Sequence, residues 1–106
     1  MEEGEKRIKQ EDCNEDNLGT GILTLTNKRL AFDKTQSRMM DFSKRFGDTL
    51  IDVSLGDIEK VWKEGLIMKK VCFTANTKEG KKTYKFGVFN SGGWVDSIED
   101  AREEFQ

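Results

Sequence analysis

One segment, GTGILTLTNKRLAF at residues 19–32, constrains the fold of this chain more than any other. It contains two short runs in which apolar residues alternate with polar or small ones, and a polar turn separates the runs. The apolar positions are Leu23, Leu25, Leu30 and Phe32. Alternation with a period of two is typical of strands that bury one face, so the segment predicts an antiparallel hairpin. Asn27 tolerates left-handed backbone, and we expect it at the reversal.

A second hairpin is predicted in KVCFTANTKEGKKTYKF, residues 70–86, with its turn over residues 78–81. The residues expected on its buried face are Val71, Phe73, Ala75, Tyr84, Phe86 and Val88. The opposite face should be wet, and Cys72 lies on it as a packed or half-exposed thiol. We interpret Cys13 as an incidental surface thiol; a Cys13–Cys72 disulfide stays open as the alternative.

The remaining segments give weaker signals. Residues 1–5 are expected to be flexible, and residues 6–12 predict a short edge strand. Residues 50–55 alternate again and place Ile51, Val53 and Leu55 on one face. The pattern resumes over residues 58–64, where Ile58, Val61 and Trp62 are candidate core contacts. Because Ile58 and Val61 are three residues apart, we expect a single helical turn between these two strands.

The last segment changes period. Apolar residues recur at helical spacing, and acidic residues, including some in the first turn, fill the outer face. The apolar positions are Trp94, Val95, Ile98, Ala101 and Phe105. Ser91 or one of the glycines after it is the expected N-cap. Trp62 and Trp94 could form an aromatic cage, but we favour buried packing for both.

This order predicts a single domain over residues 1–106 that is mainly β with one C-terminal α-helix. We expect about seven strands in two bent antiparallel sheets, forming a partly open barrel or sandwich that the amphipathic helix caps.

The order also resembles GRAM and bacterial PH-like domains, and is similar to GLUE-type domains. The matching pieces are GTGILTLTNKRLAF, then LIDVSLGDIEKV, then the second hairpin, then the tryptophan-led helix. The resemblance implies a PH-like fold and a binding module for lipids, peptides or neighbouring domains. Unlike phosphoinositide-binding PH domains, this chain is acid-rich before Gly19, so the expectation is non-specific anionic contact.

Composition removes several classes of chemistry. The chain of 106 residues has no histidine, which excludes Ser-His-Asp and Cys-His systems and every zinc site that needs imidazole. There is no phosphate loop, metal cluster or carboxylate pair at a spacing that implies acid–base work, so we expect no enzyme, no cofactor and no small-molecule substrate. No apolar run approaches a bilayer span, and no signal peptide is visible, so we expect a soluble, cytoplasmic protein.

Charge is segregated along the chain. Residues 17–90 carry fourteen basic and eight acidic side chains, whereas both ends are acidic. The most suggestive segment combines cations with apolar side chains, as peripheral membrane contacts do. Its candidate residues are Lys34, Arg38, Met39, Met40, Phe42, Lys44, Arg45 and Phe46. The alternative is that these apolar side chains fold back onto the core.

A second basic group is interpreted as a solubility feature of the hairpin. It comprises Lys69, Lys70, Lys78, Lys81, Lys82 and Lys85. Lys28 and Arg29 are interpreted as structural.

The sequence therefore predicts peripheral contact with an anionic phospholipid membrane. The alternative is a protein-interaction module that takes an acidic or extended peptide on its basic surface or at a sheet edge. Nucleic acid is not an expected partner, because no aromatic stacking motif accompanies the basic residues. The sequence leaves the oligomeric state open.

Overall fold

The computed structural model describes residues 4–15, 17–35, 46–65 and 69–105. Seven strands precede one helix: β1 (Arg7–Glu15), β2 (Gly19–Thr26), β3 (Arg29–Thr35), β4 (Phe46–Ser54), β5 (Ile58–Glu64), β6 (Lys70–Thr77), β7 (Gly80–Gly87) and α1 (Ser91–Phe105). The mainly β architecture with a C-terminal helix is confirmed.

The strands form one antiparallel sheet in the order β4-β3-β2-β1-β7-β6-β5. A narrow seam joins a half made of β1–β4 to a half made of β5–β7, because β1 pairs with β7 only at Asn14–Gly87 and Glu15–Phe86. These halves correspond to the two bent sheets that the sequence predicted. The strand predicted near the N-terminus is confirmed, but it is longer than expected, since β1 runs to Glu15. Asn14 and Glu15 pair with β7, so this end of β1 lies inside the sheet, and the outermost strands are β4 and β5.

Both predicted hairpins are confirmed. Leu23 pairs with Phe32 and Leu25 with Leu30, and all four side chains are fully buried. In the second hairpin, the pairing of Thr77 with Gly80 closes a two-residue turn, and the predicted inner positions are buried or pack against the core. The core joins the two halves of the sheet, since the Phe32 ring lies 4.8 Å from that of Phe86.

The β2–β3 turn differs from the prediction at Asn27. No described residue other than glycine has a positive φ, so Asn27 does not supply left-handed backbone. Its side chain instead accepts a hydrogen bond from the Lys6 amide at 2.7 Å and donates one to the Gly4 carbonyl at 3.2 Å. The Asn27 amide also donates to the Lys6 carbonyl. The asparagine therefore fastens the N-terminal segment across the turn.

The helical turn predicted between the two strands is confirmed. It covers Leu55–Asp57, directly before β5, and Ser54 caps it by accepting from the Gly56 amide at 3.3 Å. Ile58 is buried within β5, whereas Trp62 is not part of the core cluster. Two residues that are three apart face opposite sides of a regular strand. The β5–β6 register shifts between Ile58 and Lys60, so Ile58 and Val61 can both contact the core.

Both cysteines are free and buried, so the expectation of a surface Cys13 was wrong. Cys72 is packed, although it lies on the face that was expected to be wet. Cys13 belongs to the core cluster, and burial raises the pKa of its thiol to about 12. Cys72 lies on the outer face of β6 between Trp62 of β5 and Lys85 of β7, which are its partners in the ladders. Burial raises the pKa of the Cys72 thiol to about 11.

Helix α1 covers the open side of the sheet with its apolar stripe. Trp94, Ile98 and Ala101 are buried, and the Trp94 indole N–H donates to a Glu11 carboxylate oxygen at 2.8 Å. The helix begins at Ser91, earlier than the apolar period indicated, and its N-cap is Asn90, whose side chain accepts from the Gly93 amide at 2.9 Å. Because of this earlier start, the first turn contains no acidic residue, contrary to the prediction.

Candidate functional site

The predicted membrane-contact segment connects β3 to β4. Thr35 pairs with Phe46, so the backbone pairing fixes both ends of the connection at one end of the β1–β4 half. Lys34 is exposed there, opposite Gly21 of β2. The other predicted residues, and the side chain of Phe46, lie outside the described part of the chain: Arg38, Met39, Met40, Phe42, Lys44 and Arg45.

Three lysines of the second basic group each form an ion pair with a glutamate. Lys81 lies 3.2 Å from Glu59, Lys82 lies 2.6 Å from Glu79, and Lys85 lies 3.1 Å from Glu64. The hydrogen bond from Lys82 holds the pKa of Glu79 below its usual range. These pairs compensate Lys81, Lys82 and Lys85 locally, which supports the interpretation of these three lysines as a solubility feature rather than a ligand site.

The side chains of the β2–β3 turn are structural. The Arg29 guanidinium forms two hydrogen bonds with the Glu5 carboxylate, from Nε at 2.8 Å and from Nη2 at 3.1 Å, and a third with Asp52 at 3.1 Å. Thr26 accepts from the Lys28 amide and donates to Glu5. Arg29 is therefore committed to fastening the N-terminal segment, as its structural interpretation predicted.

The two tryptophans do not form a cage. Trp94 is fully buried in the core. Trp62 lies on the partly exposed outer face of β5, where its indole N–H donates to Glu64 at 2.9 Å. Buried packing is thus correct for Trp94 and wrong for Trp62.

A basic cleft that the sequence did not indicate lies where β5 ends and α1 begins. The cleft is a cavity of about 430 Å³, and its lining includes Lys63, Lys69, Phe89, Ser91 and Gly92. Phe89 is 95% exposed, more than any other large apolar residue in the described part. The residues come from three separate segments, so only the fold brings them together.

A groove of about 500 Å³ runs between β5 and α1. Val61 and Trp62 line its strand side, and Arg102 lines its helix side. Arg102 also donates a hydrogen bond to the Glu59 carbonyl at 3.2 Å, so the helix covers one backbone acceptor of this edge strand.

The outer face of the β1–β4 half contains a cavity of about 320 Å³, and side chains that line it form hydrogen bonds with one another. Gln10 donates to Thr24 at 2.9 Å, and Thr49 donates to Asp33 at 2.5 Å. Side chains that satisfy each other leave few groups to hold a ligand. Across the described ranges, no cluster of three or more potential ligands could hold a metal ion, and no helix has the length and apolar character needed to span a bilayer.

No protein-family model matches the sequence, and no curated protein matches it. Solved structures do. The chain matches a crystal structure of the complex of PDZ-RhoGEF DH/PH domains with GTP-gamma-S activated RhoA, with a TM-score of 0.72 and 11% identity over 97% of this chain. It spans 31% of that longer chain. It also matches the Vps36 N-terminal PH domain, with a TM-score of 0.68 and 16% identity over 98% of this chain and 83% of the other. Identities this low establish shared architecture alone, and the architecture agrees over nearly the whole length: this chain has the PH-like fold.

Proposed function

We propose that this PH-like domain is a non-catalytic binding module that contacts anionic phospholipid membranes through residues 34–46. PH-like domains are in general binding modules for lipids or proteins. The observation that carries the choice of a membrane is the composition of this connection, which combines four basic residues and one acidic residue with two methionines and two phenylalanines. Such a protein would work in the cytoplasm and at membrane surfaces.

The position of the connection supports the proposal. The Thr35–Phe46 pair fixes the two ends of the connection at one end of the β1–β4 half. Exposed Lys34 contributes the first cation of the segment. Three lysines of the β6–β7 hairpin are paired with glutamates, which reduces the positive charge that the hairpin offers to a membrane. We therefore choose residues 34–46 as the contact.

The expected strength is modest. A cation near an anionic surface contributes about 1 kcal/mol, so a net charge of three contributes about 3 kcal/mol. This corresponds to a dissociation constant of several millimolar, on the order of 10 mM. Insertion of apolar side chains or a second contact is needed for stable association.

The test is co-sedimentation with vesicles of phosphatidylcholine alone and of phosphatidylcholine mixed with phosphatidylserine. In the test variant, glutamine replaces Arg38, Lys44 and Arg45. In a matched control, glutamine replaces Lys78, Lys81 and Lys82. We expect the test variant to lose about a hundredfold in affinity for the anionic vesicles and the control to lose less than about threefold. Equal losses in both variants would refute a role for this segment.

The β5 edge favours a second candidate function, binding of an extended peptide. An edge strand presents unpaired backbone groups that can accept another strand, and the β5–α1 groove offers Val61 and Trp62 as side-chain contacts. A partner that remains bound after detergent extraction, and that is lost when Trp62→Ala removes the aromatic side chain from the groove, would favour this function. Capture that strictly depends on lipid would count against it.

A further inference from the structure

The basic cleft places two lysines around the first turn of α1. Lys63 is near the end of β5, and its Nζ atom lies 3.8 Å from the position that a Cβ atom of Gly92 would occupy. Lys69 lines the same cavity from the segment that leads into β6. The absence of a side chain at Gly92 keeps the space between the lysine and the helix open.

Two cations of the cleft have no ion-pair partner among the residues that the structure describes. Within the described ranges, neither Lys63 nor Lys69 forms an ion pair, in contrast to Lys81, Lys82 and Lys85. Glu64 also lines the cleft, but its carboxylate accepts hydrogen bonds from the Trp62 indole and the Lys85 ammonium. An exposed ammonium group without a carboxylate partner is available to an anionic ligand.

The start of α1 is left open on the same side. Helices favour acidic residues in the first turn, yet the first turn here contains none, although acidic residues occupy the later turns. Ser91 lines the cleft and is only 3% exposed, and no hydroxyl partner is found for it among the residues that the structure describes. A buried hydroxyl normally has a partner, so its lack of one is a second observation that indicates a missing anionic or polar ligand.

An aromatic side chain stands at the rim. Phe89 is 95% exposed, and its backbone is fixed on both sides: its own amide donates to the Glu11 carboxylate, and the next residue, Asn90, caps the helix. The ring is therefore held in water beside the cleft rather than folded onto the core. Burial of this ring in an apolar environment would be favourable.

We propose that the basic cleft binds the phosphate of an anionic phospholipid headgroup while the Phe89 ring enters the interfacial region of the bilayer. This inference rests on the proposed membrane function, and it supplies the second contact that function needs. Cations for the phosphate and one aromatic ring for the acyl boundary are the combination that interfacial binding uses.

The test measures vesicle affinity with phosphatidic acid as the anionic lipid. We expect the double variant Lys63→Gln, Lys69→Gln to lose about thirtyfold in affinity, or about fivefold for each cation, and Phe89→Ala to lose about tenfold. The matched controls are Lys60→Gln, an exposed cation on the same strand that does not line the cleft, and Ile8→Ala, another exposed apolar residue. Both should bind as the wild type does. All of the substituted side chains are exposed, and unfolding in urea checks that each variant is folded.

A second arm separates the lipid from other phosphates. Glycerol 3-phosphate is titrated while the amide signals of residues 91–93 are followed by NMR. Shifts that the Lys63/Lys69 variant abolishes, together with its loss of vesicle affinity, support the proposal. Unchanged vesicle binding in both cleft variants overturns the inference, and the proposed function survives if the variant in residues 34–46 still loses affinity. Phosphate binding without any vesicle binding overturns the lipid as the occupant and the proposed function with it.

Discussion

Glu5 provides the sharpest test of how the N-terminal segment stabilises the fold. Its side chain is fully buried and accepts hydrogen bonds from Arg29 Nε at 2.8 Å, from Arg29 Nη2 at 3.1 Å and from Thr26 Oγ1 at 2.5 Å. Breaking a fully buried ion pair on one side costs about 3–5 kcal/mol. Arg29 is 31% exposed and keeps Asp52 as a partner. We therefore expect Glu5→Gln to cost less than this range, about 2 kcal/mol.

The assay is urea unfolding, followed by circular dichroism, of the wild type and of Glu5→Gln. A loss of about 2 kcal/mol should lower the urea midpoint by about 1 M, and in a thermal scan of the same variants it should lower the melting temperature by about 10 °C. The control is Glu103→Gln on the exposed face of α1, which should change the free energy of unfolding by less than about 0.5 kcal/mol. If Glu5→Gln behaves like this control, the buried pair does not hold the N-terminal segment and the reasoning is refuted.

Three further predictions concern the core. Replacing Gly21 by alanine places a methyl group 2.5 Å from a carbonyl oxygen of the neighbouring strand, so we expect a loss of about 2–3 kcal/mol in urea unfolding, and a loss below about 0.5 kcal/mol would contradict the packing. Burial raises the pKa of both Cys13 and Cys72, so the folded protein favours neutral thiols. Stability should therefore be full below about pH 8.5, where the unfolded thiols are also neutral, and should fall by up to about 1.4 kcal/mol per pH unit for each thiol as the pH rises towards the folded pKa values. Constant stability from pH 8 to pH 10 would contradict their burial. Trp94→Phe removes the indole donor to Glu11 and should cost about 1–3 kcal/mol in the same assay, whereas a neutral result would show that this hydrogen bond does not fasten the helix.

Periodicity predicted the fold because burial in a sheet follows a simple alternation. Leu23, Leu25, Leu30 and Phe32 are all buried where the period of two placed them. The helical period likewise identified Trp94 and Ile98 as core residues, although it missed the start of the helix. The first three residues of the helix, Ser91, Gly92 and Gly93, carry no large apolar side chain. Only the hydrogen bond from the Gly93 amide to the Asn90 side chain marks the start of the helix.

Contacts between charged or polar residues distant in sequence were not predictable from pattern. Glu5 and Arg29 are separated by 24 residues, and each stands in a stretch that looks solvated. Cys13 lies between acidic neighbours, yet the alternation of β1 turns it into the core. The register between strands, rather than local composition, decides these positions.

Of the two candidate membrane-contact sites, one could be predicted from the sequence and the other could not. The basic and apolar composition of residues 34–46 is visible in the sequence, because it is a local property. The basic cleft is not, since Lys63, Lys69 and Phe89 meet only when β5, β6 and the start of α1 are assembled. Separate exposed residues of these types are common, and their convergence on one cavity carries the information.

The central claim, that this PH-like domain associates with anionic membranes, is tested most directly by flotation of the wild-type protein with vesicles. At low salt, we predict that the protein rises with phosphatidylserine-containing vesicles and stays behind with pure phosphatidylcholine, and that added salt reverses the association. Equal flotation with both kinds of vesicle, or none with either, would contradict the claim.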